Sequence, residues 1–356
     1  MKKYTPFLKF KAGELSAIKN LHQDVSKDLI PFFDLPRKGK EKYKSAELKD
    51  LIDKSFRKFE LNLSKLSKLY IDDFDIDNDI TIGGKPGYSY FLKKFSLPNI
   101  IPTIGPDRTE TRNKIVFETK IANSLISDSL AIRVFTDDLK YTQRRKDISE
   151  LAKASSKLFS DVHLIIDSRI CNASNVNDYS KSIISFLRDS RDFPKYILTG
   201  SSITASIRDI AAVNSTNTMH RIEIDIFEEV VKSEVVKGLN IFFGDYATVS
   251  PNYSDVDVDD KIIRKITAPK ILYSYDKKMY IARGSSLQTN PRGNKQYFDL
   301  FGNLIKEKFY RGKTYSLGDE FMFSKAHGQG SQVMPATIVN PLVNAHITYM
   351  INSFKI

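Results

Sequence analysis

The chain predicts an α/β protein: a closed (β/α)8 TIM-type barrel with a β-hairpin and a small C-terminal appendage. Three observations carry that expectation. Short apolar runs alternate with longer amphipathic stretches, the rhythm of βαβ units. Eight such runs lie between Tyr4 and Tyr246, and eight is what a closed parallel barrel requires. No glycine fingerprint follows the first run, which counts against the alternative of an open, doubly wound nucleotide-binding sheet.

The elements follow in order. Tyr4 to Lys11 is the first strand, and Gly13-Glu14 opens a helical stretch. Leu29 to Leu35 is the second strand, stopped by Pro36. Leu48, Leu51, Ile52, Phe56 and Phe59 repeat at helical spacing in a lysine-rich stretch. Leu69 to Ile76 and Asn99 to Ile104 are strands three and four, the latter bounded by Pro98 and Gly105-Pro106. Leu130 to Phe135, Val162 to Asp167 and Lys195 to Thr199 are strands five to seven, separated by helical stretches. Gly200-Ser201-Ser202 reads as a helix N-cap. Phe227 to Val236 reads as helix, and Leu239 to Phe243 is strand eight.

After strand eight the pattern changes. Lys270 to Tyr275 and Met279 to Ala282 flank Asp276-Lys277-Lys278 and read as a hairpin spanning 270–284. Gln296 to Phe309 is amphipathic and reads as the last barrel helix. Residues 312–356 form the appendage, broken by Gly318, Gly328, Gly330 and Pro335. The whole chain reads as one barrel-like domain with the hairpin above the C-terminal ends of the strands.

Composition narrows the function classes. The 356 residues carry a net charge of +12, which favours anionic partners such as nucleotides, nucleic acid or an acidic protein. The two short basic clusters, Lys38 to Lys44 and Arg144-Arg145-Lys146, read as solvated loops. No apolar run is long enough to cross a membrane and no leader is evident, so a cytoplasmic protein is expected. The single cysteine, Cys171, makes no internal disulfide and lies in no nucleophile signature.

Charge placement within the strands is the most informative feature. Side chains alternate faces along a strand. Lys9 and Lys11 share one face of strand one, opposite Leu8 and Phe10. Asp34 lies with Ile30 and Phe32. Asp73 and Asp75 oppose Tyr70, Phe74 and Ile76. Arg133 opposes Ile132 and Val134, Asp167 opposes Leu164 and Ile166, and Asp245 lies with Ile241 and Phe243. The uniformly apolar face should pack on the helices and the mixed face should turn inward. Each charge is near the C-terminal end of its strand, where barrels carry their sites. Lys9, Lys11, Asp34, Asp73, Asp75, Arg133, Asp167 and Asp245 are therefore expected to line one mouth. The plainer alternative is that these charges pair with each other and fix strand register.

Loops add candidates. Ser201 and Ser202 would offer helix-start amides to a phosphate or carboxylate. Arg221 and Glu223 follow, then Tyr246, Arg283, Asp319 and His346. No G-x-S-x-G, H-E-x-x-H or P-loop motif is present. The five histidines lack metal-ligand spacing. An all-carboxylate Mg²⁺ site is conceivable, but the interleaved Lys9, Lys11 and Arg133 would neutralise it. No metal site is assigned and no cofactor is named by the sequence.

Several segments, in order from start to end, resemble the phage "beta protein" family. They are Tyr4-Thr-Pro-Phe-Leu-Lys-Phe-Lys-Ala-Gly-Glu14, Ile30-Pro-Phe-Phe-Asp-Leu-Pro36, Phe193-Pro-Lys-Tyr-Ile-Leu-Thr-Gly-Ser-Ser202, Arg221-Ile-Glu223, Phe243-Gly-Asp-Tyr246, Tyr280-Ile-Ala-Arg-Gly284, Ser316-Leu-Gly-Asp319 and Asn344-Ala-His-Ile347. The resemblance implies a protein of temperate or satellite phages and bacterial mobile islands, found in gene clusters linked to host killing and resistance to competing phages. It implies partner proteins from the same operon and supplies no chemical mechanism. The chain departs from the family pattern in having no tryptophan, and Asn344-Ala345-His346 stands where a paired histidine is expected. His346 is the only carry-over.

Three functions follow as expectations. The first is a phage-defence or toxin–antitoxin component whose mouth binds a nucleotide or nucleic-acid end. Lys9, Lys11, Arg133 and Arg283 would hold phosphates, and Asp34, Asp167 and Asp245 would orient cations or hydroxyls. Asp319 or His346 would act as acid or base if chemistry occurs. The second is a metal-dependent barrel phosphodiesterase or nuclease. The third is a non-catalytic inhibitor that acts through its surface.

Overall fold

The computed structural model describes residues 4–39, 41–253 and 267–355; Lys40 of the first basic cluster and the last residue of the appendage lie outside them. The described chain divides into two compact units.

The first unit comprises residues up to 11, 27–200 and 222–246. Its eight strands are β1 (Thr5–Lys9), β2 (Phe32–Asp34), β3 (Leu69–Asp72), β4 (Ile100–Ile104), β5 (Ser129–Phe135), β6 (Asp161–Ile170), β7 (Lys195–Ser201) and β8 (Ile241–Asp245). They close into a barrel in which every chain-order neighbour is a spatial neighbour and β8 returns to β1. The pairings between them are parallel. The interior is packed by Phe7, Phe32, Tyr70, Ile101, Ala131, Ile165 and Ile197. Ring stacking of Phe7 on Phe32, with centroids 4.5 Å apart, knits β1 to β2. Helices Ser45–Asn62, Gly87–Lys94, Glu110–Ile121, Thr142–Ser156, Val176–Asp189 and Ile222–Val231 belong to this unit.

The last of these helices starts five residues before the sequence reading placed it. Glu223 and Asp225 fall in its first turn, where acidic side chains favour a helix start. A second difference concerns Ser201 and Ser202. The Ser201 hydroxyl oxygen accepts the Ile203 N–H at 3.1 Å, but no α-helix follows; only a three-residue 3₁₀ turn occurs, at Ile207–Asp209. Ile203 is drawn instead into an apolar cluster with Leu272, Met279 and Ile281. The expected helix-start anion site at Ser201-Ser202 is therefore not formed.

The second unit comprises residues 12–26, 201–221 and 247 onward. The expected hairpin is present, Lys270–Tyr275 against Lys278–Arg283, with Asp276 in the left-handed region at φ 45°. A third strand, Ser215–His220, adds antiparallel to Lys278–Arg283. Its residues, Ser-Thr-Asn-Thr-Met-His, carry too few apolar side chains to read as a strand. Helices Ala12–Lys19, Gln296–Leu304, Leu317–Ala326 and Val339–Asn352 complete the unit. Gln296–Leu304 thus packs in this unit's core, with Tyr273, Met322 and Leu342. The C-terminal segment is integral to that core: Val339–Asn352 buries ten consecutive residues, Pro341 through Met350.

Candidate functional site at the barrel mouth

The interior cluster fixes which strand face turns inward, and the mouth charges stand two residues further along the same face. Phe7 is followed by Lys9, Phe32 by Asp34, Tyr70 by Asp72, Ala131 by Arg133 and Ile165 by Asp167. Register aligns them, pairing Lys9 with Asp34 and Asp34 with Asp72. The inward-facing member of Asp72-Asp73 is Asp72, one residue from the position read in sequence. Two adjacent aspartates make that one-residue slip invisible to a pattern.

Arg133 is the hub. It is fully buried. Its Nη1 donates to Asp34 at 3.0 Å and Asp72 at 3.1 Å. Its Nε and Nη2 fork onto Asp167 Oδ2 at 3.1 and 2.7 Å, and Nη2 also donates to the Tyr246 hydroxyl at 2.9 Å. Tyr246 in turn donates to Asp167 at 2.5 Å. Burial disfavours the guanidinium charge, but Asp34, Tyr246, Asp167 and Asp72 outweigh it and hold Arg133 firmly protonated.

A second layer surrounds the hub. Arg112, on the helix Glu110–Ile121, donates to Asp73 at 2.5 Å and Asp72 at 3.1 Å, and its guanidinium lies 3.4 Å over the Tyr88 ring. Arg108 reaches Asp72 at 2.6 Å and pairs with Asp107. Lys9 donates to Asp75 at 2.5 Å. Burial pushes Asp72 upward, but Arg108, Arg112 and Arg133 together bring it below the ordinary carboxylate range. Asp73 is raised by burial despite Arg112. Gly105 lets this layer close, because a Cβ there would meet the Arg133 carbonyl oxygen at 2.7 Å.

Phe74 lies beside the hub, after the end of β3. It is half-buried, and three guanidinium carbons approach its ring centroid: Arg108 at 4.8 Å, Arg133 at 5.0 Å and Arg169 at 5.0 Å. Phe135, also half-buried, sits at a ring-centroid distance of 5.3 Å. Arg169 occupies the left-handed region at φ 50°, a conformation costing a non-glycine residue on the order of 1 kcal/mol. Its backbone N–H donates to Asp167 Oδ1 at 2.8 Å. The Nε of Arg108 is buried and has no hydrogen-bond partner. The sequence reading missed Asp72, Phe74, Arg108, Arg112 and Arg169. Phe74 reads in sequence as an outward apolar residue, Arg108 and Arg112 lie in a loop and a helix where period-2 patterning has no reach, and Arg169 lies on β6 two residues past Asp167, where the sequence reading ends that strand.

Other predicted residues are placed elsewhere. Asp245 shares its face with Ile241 and Phe243, opposite the interior-facing Phe242 and Tyr246, and accepts the Tyr4 hydroxyl. Its expected place in the mouth is corrected: the inward face of β8 is the other one. Lys11 is exposed, beyond the end of β1. Glu223 is buried in the first turn of its helix. In the second unit, Arg221 is buried and donates to Met350 Sδ at 3.2 Å, and Arg283 donates to the Ala211 carbonyl at 2.7 Å. His346 Nδ1 and the Ser274 hydroxyl lie 2.5 Å apart, both residues buried. Asp319 lies in the first turn of its helix, where the N-cap Ser316 hydroxyl accepts its backbone N–H and donates to its carboxylate, and it also accepts the Tyr273 hydroxyl at 2.5 Å.

Asp34 gives the mouth a pH dependence. Burial raises its pKa to about 6, against the opposing pull of Arg133 and Lys9. A folded-state pKa above the ordinary 3.8 means the folded chain binds the proton more tightly than the unfolded one. This group's contribution to stability therefore grows as pH falls from about 6 towards about 4. Asp34→Asn is expected to melt above the parent at about pH 8 and to lose that advantage by about pH 4. A parent that melts higher at both pH values would contradict this.

Among the described residues, no group of three or more His, Cys, Asp or Glu is placed to hold a metal ion, and no helix is long and apolar enough to cross a membrane. No curated protein matches the chain. The Beta protein family model matches residues 4–352. The chain, with its closed barrel and charged mouth, therefore belongs to the Beta protein family.

Proposed function

We propose that the mouth binds the phosphate backbone of a nucleotide or nucleic-acid end, without turnover, in a phage-defence or toxin–antitoxin component of a phage or mobile element. Family membership points to a phage-associated protein. The observation that carries the ligand class is Phe74, a half-buried ring with three guanidiniums within 5.0 Å of its centroid. Such a ring offers a stacking surface for a base, and arginines beside it hold the adjoining phosphates. The buried, unpartnered Nε of Arg108 is a donor awaiting an oxygen. The net charge of +12 would draw a polyanion towards the protein.

The roles are redistributed relative to the sequence reading. Arg133 is committed to Asp34, Asp72 and Asp167, so the phosphates fall to Arg169 beside Phe74 and to the Nε of Arg108, whose two Nη groups pair with Asp72 and Asp107. The hydrolase alternative needs carboxylates free for metal. Asp167 Oδ2 accepts three donors and Oδ1 a fourth, which disfavours it. A partner protein from the same operon would act on the bound state.

The test is a binding titration with thymidine oligonucleotides, from the dinucleotide to the octamer, none with a terminal phosphate. The parent is expected to bind more weakly as salt rises. Phe74→Leu keeps apolar volume but loses the ring. It should weaken binding roughly tenfold, in line with a stacking contribution of about 1–3 kcal/mol per base, while melting close to the parent. Absence of binding at every length in low salt, or Phe74→Leu binding like the parent, rejects the reading. If variants that lose binding still protect cells from phage, the inhibitor reading replaces it.

A further inference from the structure

The charges named at the mouth do not balance. Lys9, Arg108, Arg112, Arg133 and Arg169 face Asp34, Asp72, Asp73, Asp75, Asp107 and Asp167, one more carboxylate than cation. An entering phosphate would enlarge that negative excess inside a largely water-free network, where uncompensated charge is costly. The carboxylates are unequally held. Asp72 accepts from Arg108, Arg112 and Arg133. Asp167 accepts two N–H groups of Arg133, the Tyr246 hydroxyl and the Arg169 N–H. Asp34 has one side-chain bond, from Arg133 Nη1.

Resting on the anion-binding reading above, we propose that Asp34 takes up a proton when the anion enters, so that binding at the mouth is coupled to protonation. The charged and titratable groups facing Asp34 are Lys9 from β1, Asp72 and Asp75 from β3 and the turn after it, Arg133 from β5, Arg169 from β6 and Tyr246 after β8. Of these, the three cations favour the charged form and the two aspartates oppose it. An anion drawn onto Arg108 and Arg169 adds to the opposing side. Protonation of Asp34 leaves Arg133 bonded to Asp72 and Asp167, so the hub survives the change. Half-titration of the free protein near pH 6 places the coupling within the range where cells operate.

The probe is the thymidine octamer, whose bases and diesters do not titrate between about pH 5 and about pH 8. Its Kd should rise up to roughly tenfold per pH unit above about pH 6. Calorimetry in buffers of different ionisation enthalpy should show uptake approaching one proton per site at about pH 7.5. Asp34→Asn, near-isosteric and permanently neutral, should bind without that slope. At about pH 8 it should match the parent's affinity at about pH 5. A parent that binds with flat Kd and buffer-independent heat overturns the coupling and leaves the anion-binding reading standing. So does a slope retained in Asp34→Asn. A parent that does not bind the octamer at all removes both.

Discussion

Replacing Arg133 by methionine is expected to destabilise the barrel by about 3–5 kcal/mol, enough to unfold many domains. The residue is 0% exposed and bridges Asp34, Asp72 and Asp167. Removing it leaves carboxylates buried with too little positive charge beside them. The loss is specific to the partners, and a compensated variant shows this. Adding Asp34→Asn and Asp167→Asn to Arg133→Met should restore a substantial part of the stability, because a neutral buried set tolerates the missing cation. Asp72 can stay charged, since Arg108 and Arg112 hold it independently. Arg133→Lys should remain destabilised, because one ammonium cannot span the fork onto Asp167 and reach Asp34. Thermal melting of the purified variants reads all three, and an Arg133→Met protein that melts like the parent would refute the hub.

Gly318→Val is the second large effect, expected to cost about 3 kcal/mol or more, with Gly318→Ala costing about 1–3 kcal/mol. A Cβ at residue 318 would lie 2.2 Å from the Pro341 carbonyl oxygen and 2.8 Å from the Ala345 Cβ. The Gly318 N–H donates to Asn344 Oδ1 at 3.0 Å, and Asn344 Nδ2 donates to the carbonyls of Ala17 and Asn20. One glycine and one asparagine thus join three segments of the second unit, and a side chain at 318 separates them. Gly302 is the control: nothing lies within 4 Å of its added Cβ, so Gly302→Ala should be neutral or stabilising by up to about 1 kcal/mol. Equal melting of the Gly318→Ala and Gly302→Ala variants would contradict this account.

These two positions show what the sequence made legible. Eight strands with charges at their C-terminal ends could be read because alternation and the barrel count are local, repetitive signals. Lys9, Asp34, Arg133, Asp167 and Tyr246 come together for that reason. Asp72 was lost to a one-residue ambiguity, and Asp245 was assigned to the wrong face by the same arithmetic. Arg108 and Arg112 act from a loop and a helix, and only three-dimensional closure brings them to the mouth; Arg169 continues the inward face of β6 two residues beyond Asp167, past the end that the apolar run suggests. The motifs Ser316-Leu-Gly-Asp319 and Asn344-Ala-His-Ile347 stood out in sequence as candidates for chemistry. In the structure they are a helix cap, a helix–helix crossing and a buried Ser274–His346 pair. The second unit was read as hairpin plus appendage because its third strand is polar and its helices are short.

The central claim, that the mouth is a phosphate-binding site anchored outside the Arg133 hub, is tested most directly with Arg169→Gly. Glycine relieves the positive φ of 50° and removes the guanidinium beside Phe74. The octamer titration and thermal melting should be run on the same preparation. A cooperative melt, showing a folded protein, together with at least roughly tenfold weaker octamer binding, about 1.4 kcal/mol or more, is the expected result. Unchanged binding by a well-folded Arg169→Gly protein would contradict it.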